Sequence, residues 1–383
     1  MLRKFELTNY KNFKDNIVID FGEVGGYQFG IDCITSNTIS KMLIYGRNAT
    51  GKTNLGKALI DIASTLAGYT RFNDGVFLNA DSEEDVALFV YTFKFGVKEV
   101  IYKYVRLSET ELKEEELLVD GKQIFKCYFG NEKIIKCDLD YLNAEETVIS
   151  RFWQSKDVDD ETQSYTVQQI PFLRWVINNI ALKSDSVLLR VADYAKNMVM
   201  MTVSGSLGIN PRRMYDKFFE YLEDERELKE FEEFLNYMGV ECKLVLKKLP
   251  DGQSELYFKH NKLIPFYENA SSGTIALMNV YRRLVFASKN ISLIYLDEFD
   301  AFYHYEMAEN LVKYFKQMLP NCQMILTTHN TNLMTNRLMR PDCLFVLSRS
   351  GKLTALCDAT TRELREGHNL EKMYISGEFE AYE

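Results

Sequence analysis

The spacing of hydrophobic and polar positions changes several times along the chain. Strict alternation, which is typical of half-buried strands, predicts strands at residues 2–8, 16–21 and 86–105. The last of these runs breaks near Gly96-Val97 and is therefore predicted to be a hairpin. Short continuous apolar runs predict fully buried strands at residues 41–45, 291–296, 322–327 and 343–348.

Apolar residues three and four positions apart predict helices between these strands. Such spacing occurs at residues 55–68, 173–182, 186–198, 211–238, 274–288 and 303–318. The first helix is expected to end near Gly68, and strand pairs return at 241–265 around an Asp251-Gly252 turn. Because buried strands alternate with helices, the sequence predicts an α/β fold whose parallel sheet is covered on both faces.

Charge and cysteine usage narrow the class of protein. The formal net charge is −9 and no long Lys/Arg run occurs, so nucleic-acid binding stays possible but gains no support from charge. The seven cysteines are scattered without a CxxC pair, as is typical of reduced thiols in the cytosol. The N-terminus is charged and strand-like, unlike a signal peptide, and no apolar run is long enough to span a membrane. We therefore expect a cytoplasmic protein.

Residues 46–53, Gly-Arg-Asn-Ala-Thr-Gly-Lys-Thr, match the P-loop pattern GxxxxGK[ST] between an apolar strand and an amphipathic helix. Glycines let such a loop wrap a phosphate chain with its N–H groups inward, and the helix N-terminus adds positive charge. Lys52 is predicted to reach the β- and γ-phosphates of ATP, and the Thr53 hydroxyl to ligate Mg²⁺. The predicted nucleotide-binding residues are Gly46, Asn48, Thr50, Gly51, Lys52, Thr53 and Asn54.

Two later strands end in polar residues that suit the same site. The run Leu293-Ile294-Tyr295-Leu296 leads into Asp297-Glu298, at the sheet edge where ligands bind in α/β folds. We expect Asp297 to hold the Mg²⁺ through water and Glu298 to orient and deprotonate the attacking water. His329 follows the strand 322–327 and is interpreted as a γ-phosphate sensor. Lys52, Glu298 and His329 are therefore the predicted catalytic residues. The alternatives are that Asp297-Glu298 only marks a strand leaving the core and that His329 is structural.

Small residues open the helix that precedes the Asp-Glu strand. The segment Ala270-Ser271-Ser272-Gly273-Thr274 could bind an anion at the helix N-terminus, although an ordinary Ser N-cap with a Gly turn explains it better when it is taken alone. The order of the motifs changes that interpretation. A P-loop is followed by an inserted segment, a Ser-Gly segment, Asp-Glu and His.

This order resembles the ABC-type ATPase heads of the SMC, RecF and OLD group. Residues 270–274 resemble a degenerate LSGGQ signature, and residues 2–21 resemble the N-terminal strands of such heads. Asp300 and His304 follow Asp-Glu as in the D-loop of that group. The resemblance implies a P-loop NTPase of ABC type with its head at 1–110 and 266–383 and an inserted, mostly helical lobe at 111–265.

In that group two heads dimerise with ATP between them. The resemblance implies that Ser271 and Gly273 of one subunit touch the γ-phosphate bound by Lys52 of the other. Two features depart from the pattern. The signature lacks Leu and its first Gly, and the Q-loop glutamine is left open among Gln123, Gln154, Gln163 and Gln168.

A narrower resemblance concerns the tail. Residues 365–382, REGHNLEKMYISGEFEAY, are similar to the endings of AAA/ABC-hybrid ATPases from abortive-infection and anti-phage operons. Too few residues follow His329 for the TOPRIM domain of OLD nucleases, and the insert lacks the sustained heptads of SMC proteins. We therefore expect an ATPase with no effector of its own.

Three hypotheses about function remain. The first is an ATPase sensor of an anti-phage system that forms homo-oligomers with ATP and controls a toxic partner, a nuclease encoded beside it. The second is a RecF-like DNA-repair ATPase, and the third is a nucleotide-stabilised scaffold with negligible turnover. A transporter ATPase fits less well, because such proteins carry a clear LSGGQ and Q-loop.

Overall fold

A computed structural model describes residues 1–67, 75–130, 133–154, 169–202, 217–250, 252–286 and 290–382. The strands are β1 Leu2–Thr8, β2 Ile17–Asp20, β3 Ile34–Thr35, β4 Thr38–Ile39, β5 Lys41–Tyr45, β6 Ala87–Phe95, β7 Lys98–Arg106, β8 Leu112–Val119, β9 Lys122–Tyr128, β10 Ile134–Cys137, β11 Met198–Thr202, β12 Leu244–Lys248, β13 Ser254–Lys259, β14 Leu263–Pro265, β15 Leu293–Asp297, β16 Gln323–Thr328, β17 Leu344–Leu347 and β18 Leu353–Ala355.

The helices are α1 Lys52–Ala67, α2 Leu139–Leu142, α3 Glu146–Ile149, α4 Phe172–Asn179, α5 Val187–Lys196, α6 Glu225–Tyr237, α7 Phe266–Asn269, α8 Ser272–Phe286, α9 Tyr305–Met318 and α10 Leu370–Ile375. Short 3₁₀ turns occupy Ile31–Cys33, Ser150–Gln154, Thr331–Leu333, Pro341–Cys343 and Glu380–Tyr382. Within the described ranges, none of the helices combines the length and the apolar character that crossing a bilayer requires.

A six-stranded sheet forms the centre, in the order β11-β15-β16-β5-β17-β18. All neighbours are parallel except β17 and β18. Strand β16 lies between β5 and β15, so the residues that follow these three strands leave the sheet at one edge. The α/β fold class and its predominantly parallel central sheet are thereby confirmed.

A second, antiparallel sheet covers the P-loop helix from the other side. Its order is β10-β9-β8-β7-β6-β1-β2, and the hairpin predicted at 86–105 is its β6–β7 pair. Helix α1 lies between the two sheets. The Tyr91 hydroxyl donates to the Ala58 carbonyl at 2.8 Å. On the opposite side, a Cβ on Gly56 would come within 2.4 Å of the Tyr295 ring. Helix α1 therefore needs glycine at residue 56 to approach β15.

Buried Gln323, at the start of β16, joins the two sheets. Its Oε1 accepts from the Leu2 amide at 2.8 Å and from the Tyr194 hydroxyl, and its Nε2 donates to the Leu2 carbonyl at 2.9 Å. Both backbone groups of a residue in β1 are thus satisfied by one side chain. A buried amide that makes all its bonds fixes how the sheets sit against each other.

We predict that Gln323→Leu lowers the free energy of unfolding by about 3 kcal/mol, because it leaves the Leu2 amide, the Leu2 carbonyl and the Tyr194 hydroxyl buried without this partner. Urea denaturation followed by circular dichroism measures the change. Gln317→Leu on exposed α9 surface is the matched control and should stay near wild type. Equal stability of both variants would show that the hydrogen bonds of Gln323 between the two sheets do not stabilise the fold.

A buried carboxylate, Glu115 on β8, holds the N-terminus of α4. It accepts from the Phe172 and Leu173 amides at 2.5 and 2.8 Å and from the Tyr102 hydroxyl at 3.0 Å. Burial raises the pKa of Glu115 from 4.5 to about 7, although these donors and the Arg106 charge act in the opposite direction. The carboxyl group therefore changes charge near neutral pH.

We predict that this carboxyl makes the protein less stable as pH rises. Below pH 4.5 both folded and unfolded chains hold the proton, and between 4.5 and about 7 only the folded chain keeps it. Unfolding then releases a proton, and about 3 kcal/mol of stability is lost across this window. Thermal melts of Glu115→Gln should show a flatter profile from pH 5 to 7.5 than wild type. Glu114 lies beside Glu115 on β8 and pairs with Lys126. Glu114→Gln should therefore retain the wild-type dependence of stability on pH.

The helical predictions hold for the most part, with corrections between residues 198 and 238. Strand β11, in a region expected to be helical, pairs with β15 in the central sheet. The single helix expected over 211–238 is wrong in its described part, because helical residues 217–221 end in a turn and Asp224 then caps α6 through the Arg226 amide. Residues 211–216, Gly68 and Asp251 lie outside the described residues.

The three-part division at 110 and 265 stays a prediction. Strands β8, β9 and β10 follow residue 110, yet they pair into the same sheet as β1 in the predicted head. Strand β11, within the predicted insert, likewise pairs with β15 in the central sheet.

Candidate functional site

The P-loop leaves β5 at Gly46 and enters α1 at Lys52. Its turn uses the left-handed region twice, at Ala49 with φ of 64° and at Gly51 with φ of 100°. A Cβ on Gly51 would come within 2.1 Å of the Asn12 amide nitrogen, so glycine is required there on two grounds. The predicted loop conformation, with its helix N-terminus, is therefore present.

Lys52 is buried and donates into its own loop. Its Nζ lies 2.7 Å from the Gly46 carbonyl and 3.0 Å from the Arg47 carbonyl. Burial lowers the pKa of Lys52, and the nearby Glu298, Asp297 and Asp300 carboxylates oppose that shift. The ammonium group is thus held over the centre of the loop, where a phosphate oxygen could replace the carbonyls as its partner.

A chain of hydrogen bonds connects the P-loop with the Asp-Glu strand. The Thr53 hydroxyl donates to one Asp297 oxygen at 2.6 Å, and the Thr327 hydroxyl donates to the other at 2.9 Å. The Thr327 oxygen in turn accepts the Glu298 amide at 2.8 Å. Three segments distant in sequence therefore meet at one carboxylate.

Thr53 and Asp297 suit a magnesium ion. A hydroxyl and a carboxylate are hard oxygen ligands, and Mg²⁺ commonly takes one or two of these together with phosphate oxygens and water. No group of three or more His, Cys, Asp or Glu side chains suited to a metal occurs in the part of the chain that the structure describes. A metal at this position would therefore depend on the nucleotide for its remaining ligands.

Glu298 adopts a backbone conformation that is rare for its type. Its φ is 46°, in the left-handed region, and its side chain is half-buried. A non-glycine residue there is strained by roughly 1 kcal/mol or more and persists only where its surroundings hold it. Here the Thr327 hydroxyl accepts its amide and so helps to hold this backbone conformation.

His329 follows β16 at the same edge and is exposed, whereas neighbouring Asp300 is buried. Burial raises the pKa of Asp300, while the Thr328 hydroxyl, the His329 charge and Asn330 lower it. Asp300 Oδ1 has no hydrogen-bond partner among the described residues. The structure thus brings a carboxyl beside the predicted sensor. His304 is exposed and directly precedes α9.

The Ser-Gly segment behaves locally as a helix start. The Ser271 hydroxyl accepts the Thr274 amide at 3.1 Å and pairs with the Thr274 hydroxyl at 2.9 Å. A Cβ on Gly273 would come within 2.9 Å of the Phe302 carbonyl. Gly273 therefore lets α8 pack against the loop after Glu298, and the described bonds of the Ser271 hydroxyl stay within its own turn.

Two contributors to the site were missed. The Asn12 amide donates to the Thr50 carbonyl at 3.2 Å, and its oxygen accepts from the Asn54 side chain at 2.7 Å. Thr202 ends β11 opposite Asp297, and Arg283 donates to the Thr202 carbonyl at 3.4 Å. A single Asn in a surface turn carries no sequence signal, and the apolar residues 198–201 of β11 directly follow the predicted helix 186–198, which takes in Met198.

The Q-loop glutamine stays unassigned. Gln123 lies on β9 opposite Leu118, and Gln154 ends a 3₁₀ turn. Gln163 and Gln168 lie outside the described residues.

A part of the chain that includes several of the site residues is similar to a known protein family. Residues 147–335 match a family model described as "AAA domain, putative AbiEii toxin, Type IV TA system". Over these residues the chain is similar to that family. The matched residues include Ser271, Gly273, Asp297, Glu298 and His329. The P-loop lies outside the match but is joined to it, because β5 pairs with β16.

Solved structures of SMC heads are similar to the chain. The SMC head bound to the C-winged helix domain of ScpA is 16% identical with a TM-score of 0.47, covering 93% of this chain and 97% of that one. The SMC head domain from Thermotoga maritima is 14% identical with a TM-score of 0.44, covering 92% and 98%. A head from Pyrococcus furiosus, bound to the C-terminal domain of ScpA, is 16% identical with a TM-score of 0.45, covering 99% of both chains. The comparison with curated proteins gave no match.

The expected α/β fold, with a P-loop between a strand of the parallel sheet and a helix, is confirmed. In the central sheet the P-loop strand β5 lies beside the His329 strand β16, and the Asp-Glu strand β15 lies beyond it. A glycine-containing loop between β5 and the N-terminus of α1 is the arrangement that binds nucleotide phosphates in P-loop proteins.

Proposed function

We propose that the chain binds ATP with Mg²⁺ and hydrolyses it. The observation that carries this proposal is the hydrogen-bond chain from Thr53 through Asp297 and Thr327 to Glu298. It joins the P-loop helix to the backbone amide of Glu298, the residue whose carboxylate is proposed as the base. Such a connection has no evident purpose in a strand that merely leaves the core.

Each residue then has a role in phosphoryl transfer. Lys52 exchanges the Gly46 and Arg47 carbonyls for the β- and γ-phosphates, and Gly51 lets the loop backbone approach them. Bound Mg²⁺ would neutralise charge on the phosphates, held by Thr53 and, through water, by Asp297. Glu298 orients the attacking water and accepts its proton, and His329 contacts the γ-phosphate.

We further propose that the AAA domain works as a head-to-head homodimer or a larger homo-oligomer. The surface beside the Ser-Gly segment supports this. Phe302 is 43% exposed and Tyr305 is 45% exposed, and Phe302 contacts Gly273 through its carbonyl. Exposed aromatic side chains next to a helix N-terminus suit a protein partner that presents a phosphate. Ser271 and Gly273 would then complete the ATP site of a second subunit.

The biological role proposed for this ATPase is regulation of a toxic partner in abortive infection. The AbiEii toxin and Type IV TA system description of the matched family supports it, as does the tail resemblance. The partner would be a nuclease encoded beside this chain. The seven cysteines are all free thiols, which supports action in the reducing cytoplasm.

ATP turnover and molar mass, measured with and without ATP, test the proposal. We expect steady hydrolysis and an ATP-dependent rise in mass. Co-expression with the neighbouring gene product should give a complex that ATP alters. ATP binding with no turnover and a constant mass would favour the scaffold instead. Turnover that rises steeply with DNA at low salt would favour the RecF-like alternative.

A further inference from the structure

The last helix of the chain lies against the strand that leads into the P-loop. We name residues 369–379 the tail clasp. Within it Leu370, Tyr374 and Phe379 are buried, whereas Ile375 is 68% exposed. The rings of Tyr374 and Tyr45 meet with their centroids 4.7 Å apart at 67°. Tyr45 ends β5 and directly precedes Gly46, so the clasp touches the point from which the P-loop departs.

Local sequence explains the shape of the clasp. Asn369 caps α10 by accepting the Lys372 amide at 2.9 Å. Gly377, with φ of 84°, ends the helix, and the Gly377 and Glu378 amides donate to the Tyr374 and Met373 carbonyls. This is the Schellman arrangement, in which glycine at the left-handed position reverses the chain. The reversal returns Phe379 to within 6.5 Å of the Tyr374 ring.

The same segment also contacts the loop that follows His329. Helix α10 packs against the 3₁₀ turn Thr331–Leu333. Just upstream of the clasp, the Asn336 side-chain amide donates to the Arg365 and His368 carbonyls at 3.0 and 3.3 Å. One C-terminal segment therefore rests on the base of the P-loop and on the loop behind the predicted sensor.

These two loops already share a backbone connection. Tyr45 pairs with Thr328 in the central sheet, and the Gly46 amide donates to the Thr328 carbonyl at 3.2 Å. Among the described residues, this bond from the Gly46 amide is the backbone hydrogen bond that joins the two loops beyond the paired strand residues. A buried aromatic pair behind it adds packing that limits how far the two loops can move apart.

We propose that the tail clasp is a positioning element of the nucleotide site, which holds the P-loop and the His329 loop in register through Tyr374. This inference rests on the proposed ATP function. It has a reciprocal consequence, because two coupled equilibria change each other by the same factor. Release of the clasp weakens nucleotide binding, and bound nucleotide strengthens docking of the clasp.

Three variants of the full chain test the coupling. Tyr374→Ala removes the ring that meets Tyr45, and we expect the ATP Kd and KM to rise about tenfold. Tyr374→Phe keeps the ring and should restore binding. Ile375→Ala changes the adjacent exposed residue of the same helix and should bind as wild type does. A clasp that serves stability alone would lower the Tm of Tyr374→Ala and leave its Kd unchanged at a temperature where it is folded, which would overturn the proposal.

A second measurement needs no variant. Lys372 is exposed in α10, and trypsin cleavage after it can be followed by mass spectrometry. Bound non-hydrolysable ATP analogue with Mg²⁺ should slow this cleavage severalfold, and an unchanged rate would contradict the coupling. Wild type that does not bind nucleotide would overturn the proposed function itself. Wild type that binds, together with a Tyr374→Ala variant of equal affinity, would overturn the clasp alone.

Discussion

Glu298→Gln is expected to lower ATP turnover about 10³-fold while leaving nucleotide binding intact. The amide keeps the size of the side chain and its backbone anchor on Thr327, but it cannot accept a proton from water. Lys52, Thr53 and Asp297 remain in place for the nucleotide. ATP should therefore stay bound, and the ATP-dependent assembly should accumulate in place of cycling.

Phosphate release measures the turnover, and light scattering after size exclusion measures the assembly. Glu233→Gln on α6 makes the same chemical change at a side chain 66% exposed and should behave as wild type. The strained backbone of Glu298 is common to both amide and acid, so a loss of folding is not expected. If Glu298→Gln hydrolysed ATP at the wild-type rate, Glu298 would not be the base, and buried Asp300 would become the candidate.

The parts of the site that could be predicted are those whose signal is local. A glycine-rich loop between a strand and a helix fixes the positions of Lys52 and Thr53, because no other common arrangement uses that spacing. An apolar strand that ends in Asp297-Glu298 then has only one edge at which to place its carboxylates. The structure adds what joins them. The Thr327 hydroxyl, two residues before the expected sensor His329, bridges Asp297 and the Glu298 amide.

The parts that could not be predicted depend on contacts between distant segments. Asn12 reaches the P-loop only because β1 and β2 fold back beside it, and nothing in its own surroundings shows this. Strand β11 was missed because its apolar residues directly follow the predicted helix 186–198, and its partner β15 lies far along the chain. The helix expected over 211–238 was wrong because a cap at Asp224 competes with continuation of the helix.

The local interpretation of Ser271 is also informative. Its hydroxyl caps α8, as an ordinary Ser N-cap does, and the same helix start lies beside exposed Phe302. A cap and an anion site are compatible, since an N-terminus whose amides are only partly satisfied can still attract a phosphate. Whether Ser271 serves a second subunit is therefore a question about assembly, which the Glu298→Gln variant addresses by accumulating the ATP-bound state.

Lys52→Ala is expected to weaken ATP binding about 10²-fold or more, and with it to abolish both turnover and assembly. The Lys52 ammonium donates to two carbonyls of its own P-loop, at 2.7 and 3.0 Å. Removal leaves the loop amides and the helix N-terminus to bind the phosphates alone. It also leaves the Gly46 and Arg47 carbonyls without that donor.

Calorimetric titration with ATP and Mg²⁺ measures the affinity, and Lys57→Ala is the matched control. Lys57 lies on the same helix, about one and a half turns further on and half-buried, so its loss removes a positive charge from outside the P-loop sequence. Binding should fall only in the first variant. Equal binding by both would mean that the loop holds nucleotide by its backbone alone, and it would remove Lys52 from the mechanism. Binding lost in both would point to helix α1 as a whole. The contrast between the two lysines therefore separates a phosphate contact from general electrostatic attraction, which a net charge of −9 makes weak in any case.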